Sequence, residues 1–226
     1  MTNSTTAILF FSKRSSEDAK TKNWFNQGHD QKNKQLAKQL ISKTSQSLHQ
    51  VGLPVFHFHE GNQIGNSFGE RLANAFQELY NKGFQSVIAV GNDSPDIIDL
   101  DWKAIESNLA NGNAVLGKSI RGGAYLIGLG AQDFDIKQFQ NLPWQSNELY
   151  AALKGSLSVS SINELAILRD INSIHDLIKW LKSTTDIGFR KIIHAIFLFV
   201  RQFKFITVNF FTVVDRITQL RAPPIS

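Results

Sequence analysis

Ser86-Val87-Ile88-Ala89-Val90-Gly91-Asn92-Asp93-Ser94-Pro95-Asp96 decides the fold. Its first five residues form a continuous apolar run, as expected of a parallel strand covered on both faces. Gly91 then lets the backbone turn or approach a ligand closely. Asp93 and Asp96 follow at the carboxyl edge of the strand, where a hard cation and a diphosphate could be held. Mg²⁺ is usually bound through one or two carboxylates plus substrate phosphates. The alternative is an Asx-turn or a helix N-cap, because Asn, Asp, Ser and Pro all favour turns.

Outward from this segment the chain alternates strands and helices. Ala7 to Phe11 and Val55 to Phe58 read as strands before it, and Ala114 to Leu116 and Ala124 to Leu129 as strands after it. Lys32 to Val51 places Leu36, Leu40, Ile41 and Leu48 near helical spacing, and Gly52 and Pro54 stop it. Phe68 to Tyr80 carries Phe68, Leu72, Ala75, Phe76 and Leu79 on one face. Trp102 to Leu109, Glu148 to Leu153 and Ser173 to Leu181 also read as helices, whereas Leu165 to Leu168 fits a strand or a helix. This order predicts a three-layer α/β fold with a mixed, mostly parallel sheet. Such sheets bind ligands in the crevice beyond the carboxyl ends of their strands.

The first domain is expected over residues 1–183, and an apolar, helical extension over 184–226. The extension is rich in Ile, Phe and Val, but Arg201 and Lys204 interrupt it. A span needs about 20 apolar residues, so a simple membrane crossing is not expected. Packing on the core, pairing in a homodimer, or lying on a membrane surface are the readings that remain. The 226 residues carry 24 Lys and Arg against 19 Asp and Glu, a net charge of +5 that permits anionic partners. The basic residues form no single block and no stacking platform, which argues against nucleic acid. With no cysteine, disulfides, thiolate metal sites and a Cys nucleophile are excluded. No signal-like segment precedes Ala7, so a cytoplasmic location is expected, with membrane association through the extension as a variant.

Three further segments carry candidate chemistry. Gly117 to Gly128 holds Arg121-Gly122-Gly123, where two glycines allow close approach of a ligand and Arg121 can pair with phosphate. A hairpin turn explains the glycines equally well. Leu168 to Leu177 holds Asp170, a ligand or a loop acid, and Ser173 with Asp176 resembles a capping box. Gly65 to Leu72 is a Gly-rich helix entry that could meet an anion, or an ordinary N-cap at Asn66 or Ser67. His57 and His59 share a strand face, but without a third ligand two ordinary histidines are the simpler reading. Lys13-Arg14 and Lys20-Thr21-Lys22 could bind phosphates at the sheet edge, or form a solvated basic loop.

Taken in order, these segments resemble small bacterial glycosyltransferase-like proteins, some assigned to arsenosugar biosynthesis, of the nucleotide-diphospho-sugar transferase superfamily. The resemblance runs from about Ala7 to Leu181. It rests on Lys20-Thr21-Lys22 for a Lys-Thr-Arg-like element, Gly69-Glu70-Arg71 at a helix start, and Gly91 to Asp96 for a Gly-x-Asp-Ser-Pro pattern. It rests also on Arg121-Gly122-Gly123-Ala124-Tyr125-Leu126-Ile127-Gly128-Leu129, Pro143-Trp144, and Asp170 to Leu177.

The resemblance implies a glycosyltransferase A (Rossmann-like) fold and a sugar transferred from a nucleotide-diphosphate donor to a small-molecule or lipid acceptor. It implies a divalent cation, Mg²⁺ or Mn²⁺, held by Asp93 and Asp170, with Asp93, Arg121 and Asp170 at the reaction. Lys20, Lys22, Gly69, Glu70, Arg71, Gly91, Asp96, Gly122, Gly123, Tyr125 and Trp144 would bind donor or acceptor. Three positions depart from the pattern: Arg121 replaces an acid, Asn172 replaces another, and Ser12 to Asp18 replaces a Pro-Gly-rich loop. A binding or scaffold protein on the same fold, and a nucleotidyltransferase, are the competing readings.

Overall fold

A computed structural model describes residues 4–22, 24–25, 28–158 and 161–198. It divides into two compact units, Met1–Ser183 and Thr184–Ser226. The first is built on a six-stranded sheet. The strands are β1 (Thr6–Phe11), β2 (Val55–Phe58), β3 (Ser86–Val90), β4 (Ala114–Ser119), β5 (Ala124–Gly130) and β6 (Ile162–Leu168). They lie in the order β2-β1-β3-β5-β4-β6. β5 is antiparallel to both its neighbours, and the other pairings are parallel. The mixed, mostly parallel sheet expected from the sequence is present.

Its burial follows from side-chain alternation. Ala7 to Phe10 of β1 and Val87 and Ile88 of β3 have no exposed surface, because helices cover both faces. On one face Ala7, Leu9, Val87, Ala89 and Leu116 pack with α3 (Phe68–Asn81), whose Leu72, Phe76 and Leu79 point inward. On the other, Ile8, Phe10, Ile88, Val90 and Val115 pack with α2 (Asp30–Gln50) through Leu48 and with α4 (Trp102–Ala110) through Ile105 and Leu109. Two separate core clusters on either side of one sheet make three layers. β6 lies at an edge, where none of its residues is fully buried and Ile167 is 60% exposed. That half-exposed pattern explains why the segment was ambiguous as sequence.

Several elements differ from the sequence expectation. The stretch read as a phosphate-binding cluster or a solvated basic loop contains α1 (Ser15–Lys22), with Glu17 and Asp18 in its first turn and Lys20 and Lys22 in its last. That charge order suits the helix dipole. A 3₁₀ turn occupies Pro95–Asp99. Short α5 (Ile136–Gln140) was not foreseen, whereas α6 (Leu149–Ser156) before β6 and α7 (Ile174–Ser183) after it are helices the sequence led one to expect.

The second unit contains α8 (Ile187–Leu198), capped where Asp186 Oδ1 accepts from the Phe189 N–H at 2.8 Å. The rest of the apolar extension, including Arg201 and Lys204, lies outside the described residues. Among the described residues no helix is long and apolar enough to cross a membrane.

Candidate functional site

A cavity of about 600 Å³ lies beyond the carboxyl ends of β1 and β3. Parallel β1 and β3 end together, since Phe10 pairs with Val90, so the loops after them face one another. The loop after β3 brings Gly91, Asn92, Asp93 and Ser94 to the wall. The loop after β6 is tied to it where Ile171 N–H donates to the Asp93 carbonyl at 2.8 Å. This tie brings Asp170 to the same wall, where its Oδ1 accepts from Ser94 Oγ at 3.3 Å. Burial pushes the Asp170 carboxyl up, and the Asp93 charge adds to that against hydrogen bonds from Ser119 and Ser94.

The opposite wall comes from the end of α1. Lys22 Nζ bonds Asp93 Oδ1 and lies 3.4 Å from Asp18 Oδ2. The Lys22 side chain is only 10% exposed. Asn92 Nδ2 donates to the same Asp18 oxygen at 3.1 Å. Burial pulls the Lys22 ammonium down, but the Asp93 and Asp18 carboxylates outweigh it and the pKa rises. Asp18 is raised by burial, against the attraction of Lys22. The floor and rim hold Arg71, Tyr125 and Trp144. Tyr125 donates to the Ala166 carbonyl at 2.8 Å, and burial pushes its hydroxyl up to about 12. Trp144 Nε1 donates to the Phe139 carbonyl at 2.8 Å, which fixes the indole.

The Gly-Gly segment is both a turn and a wall. Ser119 N–H donates to the Gly123 carbonyl at 2.8 Å and closes the β4–β5 hairpin. Gly122 sits at φ +87°, and a Cβ there would lie 2.2 Å from the Asn147 carbonyl oxygen. Arg121 reaches across to Asp176 Oδ2 at 2.6 Å. Asp176 also accepts from Ser173 Oγ at 2.7 Å, while Ser173 Oγ accepts from the Asp176 N–H at 3.2 Å. Burial pushes Asp176 up, but Ser173 and Arg121 overcome it and hold the carboxyl below the usual value.

The cavity therefore gathers Asp93, Asp170, Arg121, Lys22, Arg71, Gly91, Gly123, Tyr125 and Trp144 among the residues expected from sequence. Others lie elsewhere. Lys20 points outward and pairs with Glu17 at 2.7 Å. Glu70 completes the α3 capping box, accepting from the Asn66 N–H at 2.6 Å and the Ser67 N–H at 3.3 Å. Gly69 is a packing position, where a Cβ would meet the Gln140 carbonyl at 2.2 Å. Asp96 accepts from Trp180 Nε1 at 2.6 Å and is not on the cavity wall. Gly122 shapes the turn from behind. Asp18, Asn92 and Ser119 were missed. The spacing of Asp18 and Lys22, four apart, was the available signal once that stretch is read as a helix. His57 accepts or donates one bond, to Ser12 Oγ at 2.8 Å, and stacks on Phe10.

A metal ion at the expected pair Asp93 and Asp170 would have to be admitted beside the Lys22 ammonium. Among the described residues no group of three or more Asp, Glu, His or Cys could hold a metal ion. Asp93 already takes the Lys22 ammonium. At about 4 Å and an effective dielectric of about 20, a dication and an ammonium repel by roughly 8 kcal/mol. Displacing Lys22 would leave buried Asp18 with Asn92 alone among these partners.

Residues 43–146 match the model of a family described as "Uncharacterized protein conserved in bacteria (DUF2064)". No curated protein matches the chain. A crystal structure described as a "putative nucleotide-diphospho-sugar transferase" from Desulfovibrio desulfuricans G20 superposes with a TM-score of 0.73. The two are 19% identical, and the match covers 90% of this chain and 100% of that one. Rv0371c from Mycobacterium tuberculosis H37Rv is 12% identical, with a TM-score of 0.48 over 81% of this chain and 100% of that one. Its manganese complex matches at 11% identity and a TM-score of 0.42, over 79% of this chain and 98% of that one. These last two are too distant in outline to inform the site. The 0.73 match shows that the chain shares the α/β fold of that Desulfovibrio structure.

Proposed function

We propose that the chain is a glycosyltransferase that takes a sugar from a nucleotide-diphosphate donor. One observation carries this reading: a cavity of about 600 Å³ at the carboxyl edge of the sheet joins Lys22, Arg71 and Arg121 to Asp93 and Asp170. Its size suits a nucleotide sugar, since small-ligand pockets run from about 300 to 1,000 Å³. Guanidinium and ammonium groups favour a diphosphate, and carboxylates favour hydroxyls.

In the reaction, an acceptor hydroxyl attacks the anomeric carbon of the donor sugar. The bond from that carbon to the β-phosphate oxygen breaks, and the nucleoside diphosphate leaves with the electron pair. Lys22 and Arg121, both on the cavity wall, would meet the growing charge of the leaving diphosphate, where fixed cations accelerate transfer most. Asp170, with its carboxyl raised by burial, is suited to take the acceptor proton. Asp93 offers the donor hydroxyls its half-exposed carboxylate while anchoring Lys22. Tyr125 and Trp144 give the sugar and acceptor an aromatic wall.

Incubation with a panel of nucleotide sugars and acceptor hydroxyl compounds is expected to release one nucleoside diphosphate. Asp170→Asn is expected to lower kcat by about 10²–10⁴ with little change in donor affinity. In the wild type the acid limb of kcat should lie above the usual Asp value, because the base is active only once deprotonated. A broad panel left unconsumed would defeat the reading. The second reading, binding without turnover, is favoured by the Arg121–Asp176 bond, which ties the substituted position into the α7 cap. It predicts tight donor binding with no release.

A further inference from the structure

We propose that Lys22 is the resident cation of the diphosphate subsite, so that the cavity takes a nucleoside diphosphate without a divalent metal ion. This rests on the reading above that the cavity binds a nucleotide-diphosphate donor.

The position of Lys22 is built, not incidental. Its stem leaves the last turn of α1, where the helix dipole favours a cation. Its ammonium is held by Asp18 from its own helix and by Asp93 from the loop after β3. Asn92 holds Asp18 in turn, and the Trp24 ring lies 5.3 Å from the ammonium. Four side chains from two segments thus fix one charge at the mouth of the β1–β3 crevice. Such a charge needs no reorganisation when a diphosphate arrives.

The neighbouring cations are not equivalent. Lys20 points away toward Glu17, and Arg121 is turned to Asp176. Lys22 alone of these three touches Asp93, the acid at which the metal was expected. The charge of the wall also closes without a metal. Lys13, Lys22, Arg71 and Arg121 line the cavity against the carboxylates of Asp18, Asp93 and Asp170, leaving an excess of one positive charge.

The test is calorimetric titration of the full chain with the diphosphates of uridine, guanosine, cytidine, adenosine and thymidine, in EDTA and in Mg²⁺ or Mn²⁺. The diphosphate that binds is expected to keep its Kd within about threefold in EDTA. Lys22→Met is expected to weaken it at least about tenfold in EDTA, and Lys22→Arg to retain most of it. Circular dichroism checks folding, and if Lys22→Met does not fold, the wild-type chelator comparison and Lys22→Arg still decide. Mn²⁺ alone, followed by electron paramagnetic resonance, is expected to stay free with the wild type. Loss of binding in EDTA by about tenfold or more, or tight Mn²⁺ uptake by the wild type without nucleotide, overturns the inference and leaves the proposed donor class standing. If no diphosphate binds in either medium, the donor reading fails and the inference falls with it.

Discussion

At the scale of single residues, the turn behind the cavity wall rests on two positions, Gly122 and Asp176. Gly122 stands at φ +87° with the Asn147 carbonyl 2.2 Å from where a Cβ would be. Both the backbone conformation and the space demand glycine. Gly122→Ala is expected to cost about 1–3 kcal/mol, read as a lower thermal midpoint, and to weaken donor binding because the Arg121 turn must move. Asp176 is the other fixed point. It accepts from Arg121, Ser173 and the Asn172 N–H, and its carboxyl is held below the usual value. A carboxyl lowered by folding stabilises the fold at pH values above its unfolded pKa. That contribution disappears as pH falls through the folded value. Asp176→Asn is therefore expected to destabilise the chain near neutrality by about 1–3 kcal/mol and to flatten the acid limb of stability against pH. Denaturant titrations at pH 7 and near pH 3 check both parts.

At the scale of elements, α3 shows how far local sequence signals reach. Its apolar spacing and an N-cap at Asn66 or Ser67 were visible as a pattern, and the structure makes Ser67 the cap, in a capping box with Glu70. The hydroxyl of Ser67 accepts from the Glu70 N–H at 3.1 Å. Ser67→Ala is expected to lower stability by about 1 kcal/mol, measured by denaturant midpoint, with the same donor affinity. Gly69-Glu70-Arg71 resembles a ligand element, yet only Arg71 lines the cavity. Glu70 serves the cap, and Gly69 makes room for the Gln140 carbonyl and Trp144. α1 is the opposite case. Ser15 to Lys22 carries few apolar residues, so periodicity gave no signal, although the acidic start and basic end were there to read.

At the scale of the whole molecule, the site exists because parallel strands end at one edge. β1 and β3 are neighbours in the sheet although β2 comes between them in sequence. Their carboxyl ends diverge into separate loops, and a crevice opens there. Lys22 and Asp93 meet across 71 residues of chain, and Ser94 and Asp170 across 76.

The sequence by itself determined the layers, the strand-rich runs and the acidic turn after β3. Each of these depends on local alternation, helical spacing or turn chemistry, which a linear pattern records. It also placed Asp93 at a sheet edge after an apolar strand and the Gly-Gly turn between two strands, while Asp170 followed a segment that fitted a strand or a helix equally. Only the tertiary structure decided which neighbour each of these acids and bases has. Asp96 went to Trp180, Glu70 to its own helix cap, Arg121 to Asp176, and Lys22 to the carboxylate where a metal was expected. The physical reason is that ion pairs and buried hydrogen bonds form between groups brought close by packing, and sheet order sets that closeness without leaving any periodic trace in the sequence.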